Sequence, residues 1–170
     1  MLLRDELIEI ATAEGFLEDA LPFIPELLII RSDFTGKCFI EASKMFQSSI
    51  EILSISVAWS FYGGMGSVAL WVRDWEELKS KGIYELLTRE KGFKKLDEYV
   101  FFITALHFLP DEHKALIEFS KKLSYKALKY IADNFNKDDD KEKQLWMIQE
   151  VLNVMFEIGA GVQMNSIGMK

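Results

Sequence analysis

Residues 53–72 read Leu-Ser-Ile-Ser-Val-Ala-Trp-Ser-Phe-Tyr-Gly-Gly-Met-Gly-Ser-Val-Ala-Leu-Trp-Val. Whether they form two helices about a glycine turn or a β-hairpin decides the fold class. Leu53, Ile55, Val57, Trp59 and Phe61 alternate with Ser54, Ser56, Ala58 and Ser60, which is the period of a strand. Gly63 to Gly66 would then be a hairpin loop of acceptable length, with Val68–Val72 as the partner strand. A longer pattern competes. Phe39, Ala42, Phe46, Ile50, Leu53, Val57 and Phe61 recur at spacings of three and four, one stripe of a helix. That stripe outweighs the shorter alternation. It predicts a helix from Lys37 to Phe61, stopped at Gly63, and a second helix capped by Ser67.

Outward from this segment, helical spacing dominates. Leu3, Leu7, Ile10 and Ala11 mark a first helix that closes near Gly15. Leu17 to Ile30 is apolar but interrupted by Pro22 and Pro25, and residues 32–36 read as a loop. Val68, Trp71, Trp75 and Leu78 continue the helix after Ser67 as far as Gly82. A short helix is expected over residues 83–91 and another over 93–109. Pro110-Asp111-Glu112 opens the next, with proline near the start and acids in the first turn. It runs through Leu116, Phe119, Leu123, Ala127 and Ile131 to Phe135, and residues 136–140 form a linker. The last helix ends at Gly159, leaving residues 160–170 as a loosely packed tail. The expected fold is mostly α, a single domain over residues 1–170 built as a bundle of about seven helices. The alternative is α+β, with a small β-hairpin around residues 53–72.

Composition narrows the function classes. A chain of 170 residues, 49% hydrophobic and 28% charged, is long enough to bury one core. Cys38 is the only cysteine, which excludes an intramolecular disulfide. The early acids Asp5 and Glu6 do not fit a signal peptide, so a cytoplasmic location is expected. Residues 1–85 hold 7 basic and 14 acidic side chains, whereas residues 86–170 hold 13 of each, so the whole net charge of −7 lies in the first half. An acidic half reads against nucleic acid, whose binding needs cations to displace counterions. It fits a basic protein partner steered by charge, and it equally serves solubility. Residues 52–72 carry no formal charge and are long enough to span a bilayer, but four serines and three glycines interrupt them, so membrane insertion is not expected.

The local motifs are weak. Gly64-Met65-Gly66-Ser67-Val68-Ala69 fits G-x-G-x-x-A, yet a dinucleotide turn requires a βαβ unit that the flanking helical pattern lacks. His107 and His113 lie six apart, a spacing that does not bring two ligands to one helical face. Cys38 has no motif to pair it with a base. Asp138-Asp139-Asp140 lacks the alternating ligands of a calcium loop and reads as a solvated turn whose acids cap the next helix. Trp71, Trp75 and Trp146 supply aromatic surface, the first two at a core-like spacing of four.

Phe61-Tyr62-Gly63-Gly64-Met65-Gly66-Ser67 resembles a Gly-Gly-Met-Gly-Ser motif of small bacterial proteins, some of them immunity-like. The resemblance implies a bacterial cytosolic protein without a known catalytic residue. No active site is carried over from it. Because aromatics and methionine beside a glycine turn suit a contact surface, Trp59, Tyr62, Gly63, Gly64, Met65, Gly66 and Ser67 are the expected partner- or ligand-binding residues, with Tyr62 and Met65 exposed. No catalytic residue, metal or cofactor is assigned. The expected function is non-enzymatic protein binding, as an immunity protein that neutralises a basic toxin through an acidic surface. The alternatives are a small-molecule-binding protein or enzyme with its pocket at the Gly63–Ser67 turn, and a peripheral membrane protein. Homo-oligomerisation is compatible with either class.

Overall fold

A computed structural model describes residues 2–18, 25–73, 83–88, 95, 96, 98, 100 and 110–168. Six helices are described: α1 (Leu3–Ala13), α2 (Pro25–Met45), α3 (Ser49–Arg73), α4 (Ile83–Thr88), α5 (Pro110–Asn134) and α6 (Lys141–Ser166). No strand occurs among the described residues, so the mostly-α bundle holds and the β-hairpin alternative is excluded. The described helices number six where about seven were expected. Trp75, His107 and most of the helix expected over residues 93–109 lie outside the described residues.

The core is one close helix pair. Antiparallel α3 and α6 pack over most of their lengths, with Phe61 against Gly159 and Gly64 against Phe156 and Ala160. A Cβ on Gly64 would collide with the carbonyl of Phe156, and one on Gly159 would collide with that of Phe61. Glycine is required here because two backbones touch, and not because the chain turns. The helix stop expected at Gly63 is thereby overturned: α3 runs unbroken from Ser49 to Arg73 through all three glycines. Interior glycines cost a helix about 1 kcal/mol each relative to alanine. The contact they permit with α6 offsets that cost.

The serines of α3 are held by its own backbone. Ser56 Oγ donates to the Ile52 carbonyl at 2.6 Å, Ser60 Oγ to that of Ser56 at 2.8 Å, and Ser67 Oγ to that of Gly63 at 2.5 Å. Such i−4 bonds satisfy a hydroxyl within an apolar interior. Both α3 and α6 are long and apolar enough to cross a membrane by length and composition, yet 67% and 61% of their apolar windows are buried inside the molecule.

The other helices lie around this pair: α2 and α5 each pack on α3 and α6, α1 on α6 and α5, and α4 on α3 and α2. Three further expectations need correction. Residues 32–36 belong to α2 and are not a loop, because their polar side chains face polar partners on α6. The stripe from Phe39 to Phe61 is divided by a break between Met45 and Ser49, where the chain reverses from α2 into α3. Residues 160–164 are buried in α6, so the tail beyond Gly159 is core. The Asp138–Asp140 turn is as read: Asp140 Oδ1 accepts from the Lys143 amide at 2.8 Å and caps α6.

Candidate functional site

The seven residues singled out from the sequence all lie in the interior of α3. Trp59, Tyr62, Met65 and Ser67 are buried, which corrects the expected exposure of Tyr62 and Met65. The Tyr62 hydroxyl bonds with Ser120 Oγ on α5 at 2.8 Å, and Ser120 Oγ donates to the Ile117 carbonyl. The space beside each glycine is filled: by the Phe34 ring at Gly63, by the α6 backbone at Gly64, and by Leu87 and Val100 at Gly66. These residues form a packing centre in which Phe34, Phe61, Phe119 and Phe156 meet, with ring centroids 5.8 Å apart for Phe34–Phe156 and 6.3 Å for Phe61–Phe119. Among the described residues no concavity opens at the glycines.

Among the described residues the richest polar arrangement joins α2 to α6, and it was not singled out from the sequence. Gln149, Asn153 and Glu157 stand at i, i+4 and i+8 on α6, so they share one face. Across from them α2 presents Thr35, Ser32 and Arg31. The Thr35 hydroxyl lies 2.7 Å from Asn153 Oδ1, and Asn153 Nδ2 donates to Ser32 Oγ at 3.2 Å. Gln149 Nε2 donates to Thr35 Oγ1 and, at 3.0 Å, to Asn153 Oδ1. One turn on, Glu157 accepts from Arg31 on α2 and from Arg4 Nε on α1, the latter at 3.2 Å. Three helices thus meet at one carboxylate. The chemistry is that of a fastening: Ser32, Thr35, Gln149 and Asn153 bond to one another, Glu157 holds both arginines, and Thr35 and Asn153 are buried, while Arg31 Nε is enclosed without a hydrogen-bond partner among the described residues. The visible signal was the four-residue spacing of polar side chains on an otherwise apolar helix.

Among the described residues, the side chains that most often carry catalysis by a nucleophile or an imidazole are Cys38 and His113. Cys38 is fully buried, and that burial pushes its thiol well above the ordinary value, away from the nucleophilic thiolate. His113 is half-buried near the start of α5. Among the described residues no three His, Cys, Asp or Glu side chains are grouped so as to hold a metal ion.

One buried polar group on α6 makes no hydrogen bond among the described residues. Both amide atoms of Gln163 are enclosed without a partner. A buried, unpaired amide costs more than an apolar side chain of similar size. Gln163→Leu is therefore expected to raise the stability by about 1 kcal/mol, as read by urea unfolding. A loss of stability would show that the amide has a partner in solution.

The surface divides by charge. Asp5, Glu6, Glu9, Glu26 and Glu51 take part in no ion pair among the described residues. The arginines of α1 and α2 both pair with Glu157, Arg4 itself remaining exposed, and Lys37 pairs with Asp33 at 2.8 Å. The carboxylates on the outer face of α1, Asp5 and Glu9, are consequently uncompensated. This face is the candidate interaction site. Comparison with protein-family models, with curated proteins and with solved structures returned no match.

Proposed function

We propose that the protein is a non-enzymatic binding protein whose acidic face on α1 docks a basic protein partner, in the manner of a bacterial cytoplasmic immunity protein covering a toxin domain. The observation that carries this reading is that Arg4 and Arg31 both pair with Glu157, which leaves Asp5 and Glu9 exposed and in no ion pair among the described residues. A helix whose one cation is tied to a neighbouring helix and whose Asp5 and Glu9 are exposed presents a surplus of negative charge, suited to fast, steered association. The filled interior around Gly63–Ser67 favours recognition by surface over recognition by pocket.

The test mixes the protein with proteins encoded beside its gene and measures complex formation at low and high salt. A complex weakened at least about tenfold by Asp5→Lys with Glu9→Lys, and weakened by salt, is expected, because exposed charges act over a Debye length of about 10 Å at 0.1 M. Absence of any complex, or a complex indifferent to both changes, overturns the proposal.

A further inference from the structure

Helix α5 carries an outer stripe that the bundle does not use. Lys114, Glu118, Lys122, Tyr125, Lys129 and Asp133 are all exposed and follow one another at intervals of four, four, three, four and four residues. That spacing keeps them on one face of the helix, opposite the buried Leu116, Leu123, Ala127 and Ile131. The stripe is about 29 Å long at a rise of about 1.5 Å per residue. Within a lone helix, charges four apart would close on each other as Lys114–Glu118, Glu118–Lys122 and Lys129–Asp133. None of those three pairs is formed. Glu118 instead leans to Lys121, 3.6 Å away, and Lys122 reaches Glu14 at 3.2 Å. Lys114, Lys129 and Asp133 take part in no ion pair among the described residues. Tyr125, at the middle of the stripe, is 68% exposed.

The order of these groups is complementary to itself in reverse. Two copies of the stripe, laid antiparallel about a two-fold axis beside Lys122 and Tyr125, bring Lys114 to Asp133, Glu118 to Lys129 and Lys122 to the Tyr125 ring. Symmetry makes each pair twice. The first two join opposite charges, and the third sets a cation on an aromatic face. All three match at one register, because the intervals read the same from either end. Laid parallel in register, the same stripes would oppose like charge to like. Lys121 and Lys126 fall on opposite flanks, where their long stems keep the ammonium groups in water.

We propose that this face of α5 is a self-association surface, occupied by α5 of a second copy of the chain in antiparallel register. A single polar helix pair is smaller than a standard interface, so the dimer is weak, half-formed at about 0.1 mM. Asp5 and Glu9 take no part in these pairs, so the dimer does not depend on the acidic face of α1.

Sedimentation equilibrium of the full chain, up to about 1 mM in about 50 mM salt, reads the dimer. Glu118→Lys alone and Lys129→Glu alone each set like charges together at two symmetric contacts, and each is expected to weaken the dimer at least about tenfold. The double variant Glu118→Lys with Lys129→Glu restores opposite charges and is expected to return within about threefold of the parent. Circular dichroism should be unchanged throughout, since both side chains are exposed. Asp5→Lys with Glu9→Lys is expected to leave the dimer as it is. A chain that stays monomeric over the whole range overturns the proposal. So does a dimer indifferent to the single reversals, one that the double variant fails to restore, or one lost with Asp5 and Glu9, which would place the contact on α1.

Discussion

Replacing Gly64 with alanine is expected to lower the stability of the protein by about 3 kcal/mol, although the same change in an ordinary helix would raise it. In a solvated helix interior alanine is better than glycine by about 1 kcal/mol. At Gly64 the new methyl would enter the space held by the Phe156 carbonyl and the Ala160 amide nitrogen. Those are backbone atoms of a continuous helix and cannot rotate aside. The α3–α6 pair must therefore separate locally, which opens a gap along the most extensively packed interface among the described helices. Gly159→Ala is the mirror experiment, since its methyl would meet the Phe61 carbonyl, and a similar loss is expected. Gly36 serves as the control. A Cβ there meets only Gln149 Oε1, at 3.4 Å, so Gly36→Ala is expected to be neutral or to stabilise by up to about 1 kcal/mol. Urea unfolding followed by circular dichroism reads all three. A Gly64→Ala protein as stable as the parent would mean that the two backbones do not touch.

The same glycines show where sequence reading stops. Spacing reveals that Phe61, Val57 and Leu53 share a stripe, because periodicity is a local property of the chain. Whether a glycine ends a helix or admits a neighbour depends on what lies across from it, here residues 156–160, almost a hundred positions away. Both uses follow from the absence of Cβ, so the residue alone does not separate them. For Gly15 the local reading sufficed: φ is +83° and α1 ends beside it. The polar run at 32–36 failed for the same non-local reason. Serine, threonine and glycine together resemble a loop until Gln149 and Asn153 supply partners for the first two. Of the interaction site, the acidic bias of residues 1–85 was legible, as it follows from composition. That Arg4 and Arg31 both pair with Glu157 was not, because it depends on where α6 places that carboxylate.

The second large effect is expected at Asn153, where substitution separates the worth of a polar fastening from the cost of breaking it. Asn153→Ala removes the acceptor for Thr35 and the donor to Ser32 at a buried position. Thr35 is itself fully buried, so its hydroxyl turns back to the Arg31 carbonyl, 2.9 Å away. Gln149 is half-buried and retains water. A loss of about 2–3 kcal/mol is expected, from a lost hydrogen-bond pair and a cavity. The double variant Thr35→Val with Asn153→Leu replaces both partners by apolar groups and leaves neither of that pair unsatisfied. It is expected to lose less than the sum of the two single changes, with a coupling of about 1 kcal/mol or more. A strictly additive cycle would show that the two side chains do not communicate across α2 and α6. Coupling would identify the seam as a register device: a slide of α2 by one turn along α6 would unpair Thr35, Ser32 and Arg31 at once, which apolar contacts alone do not forbid.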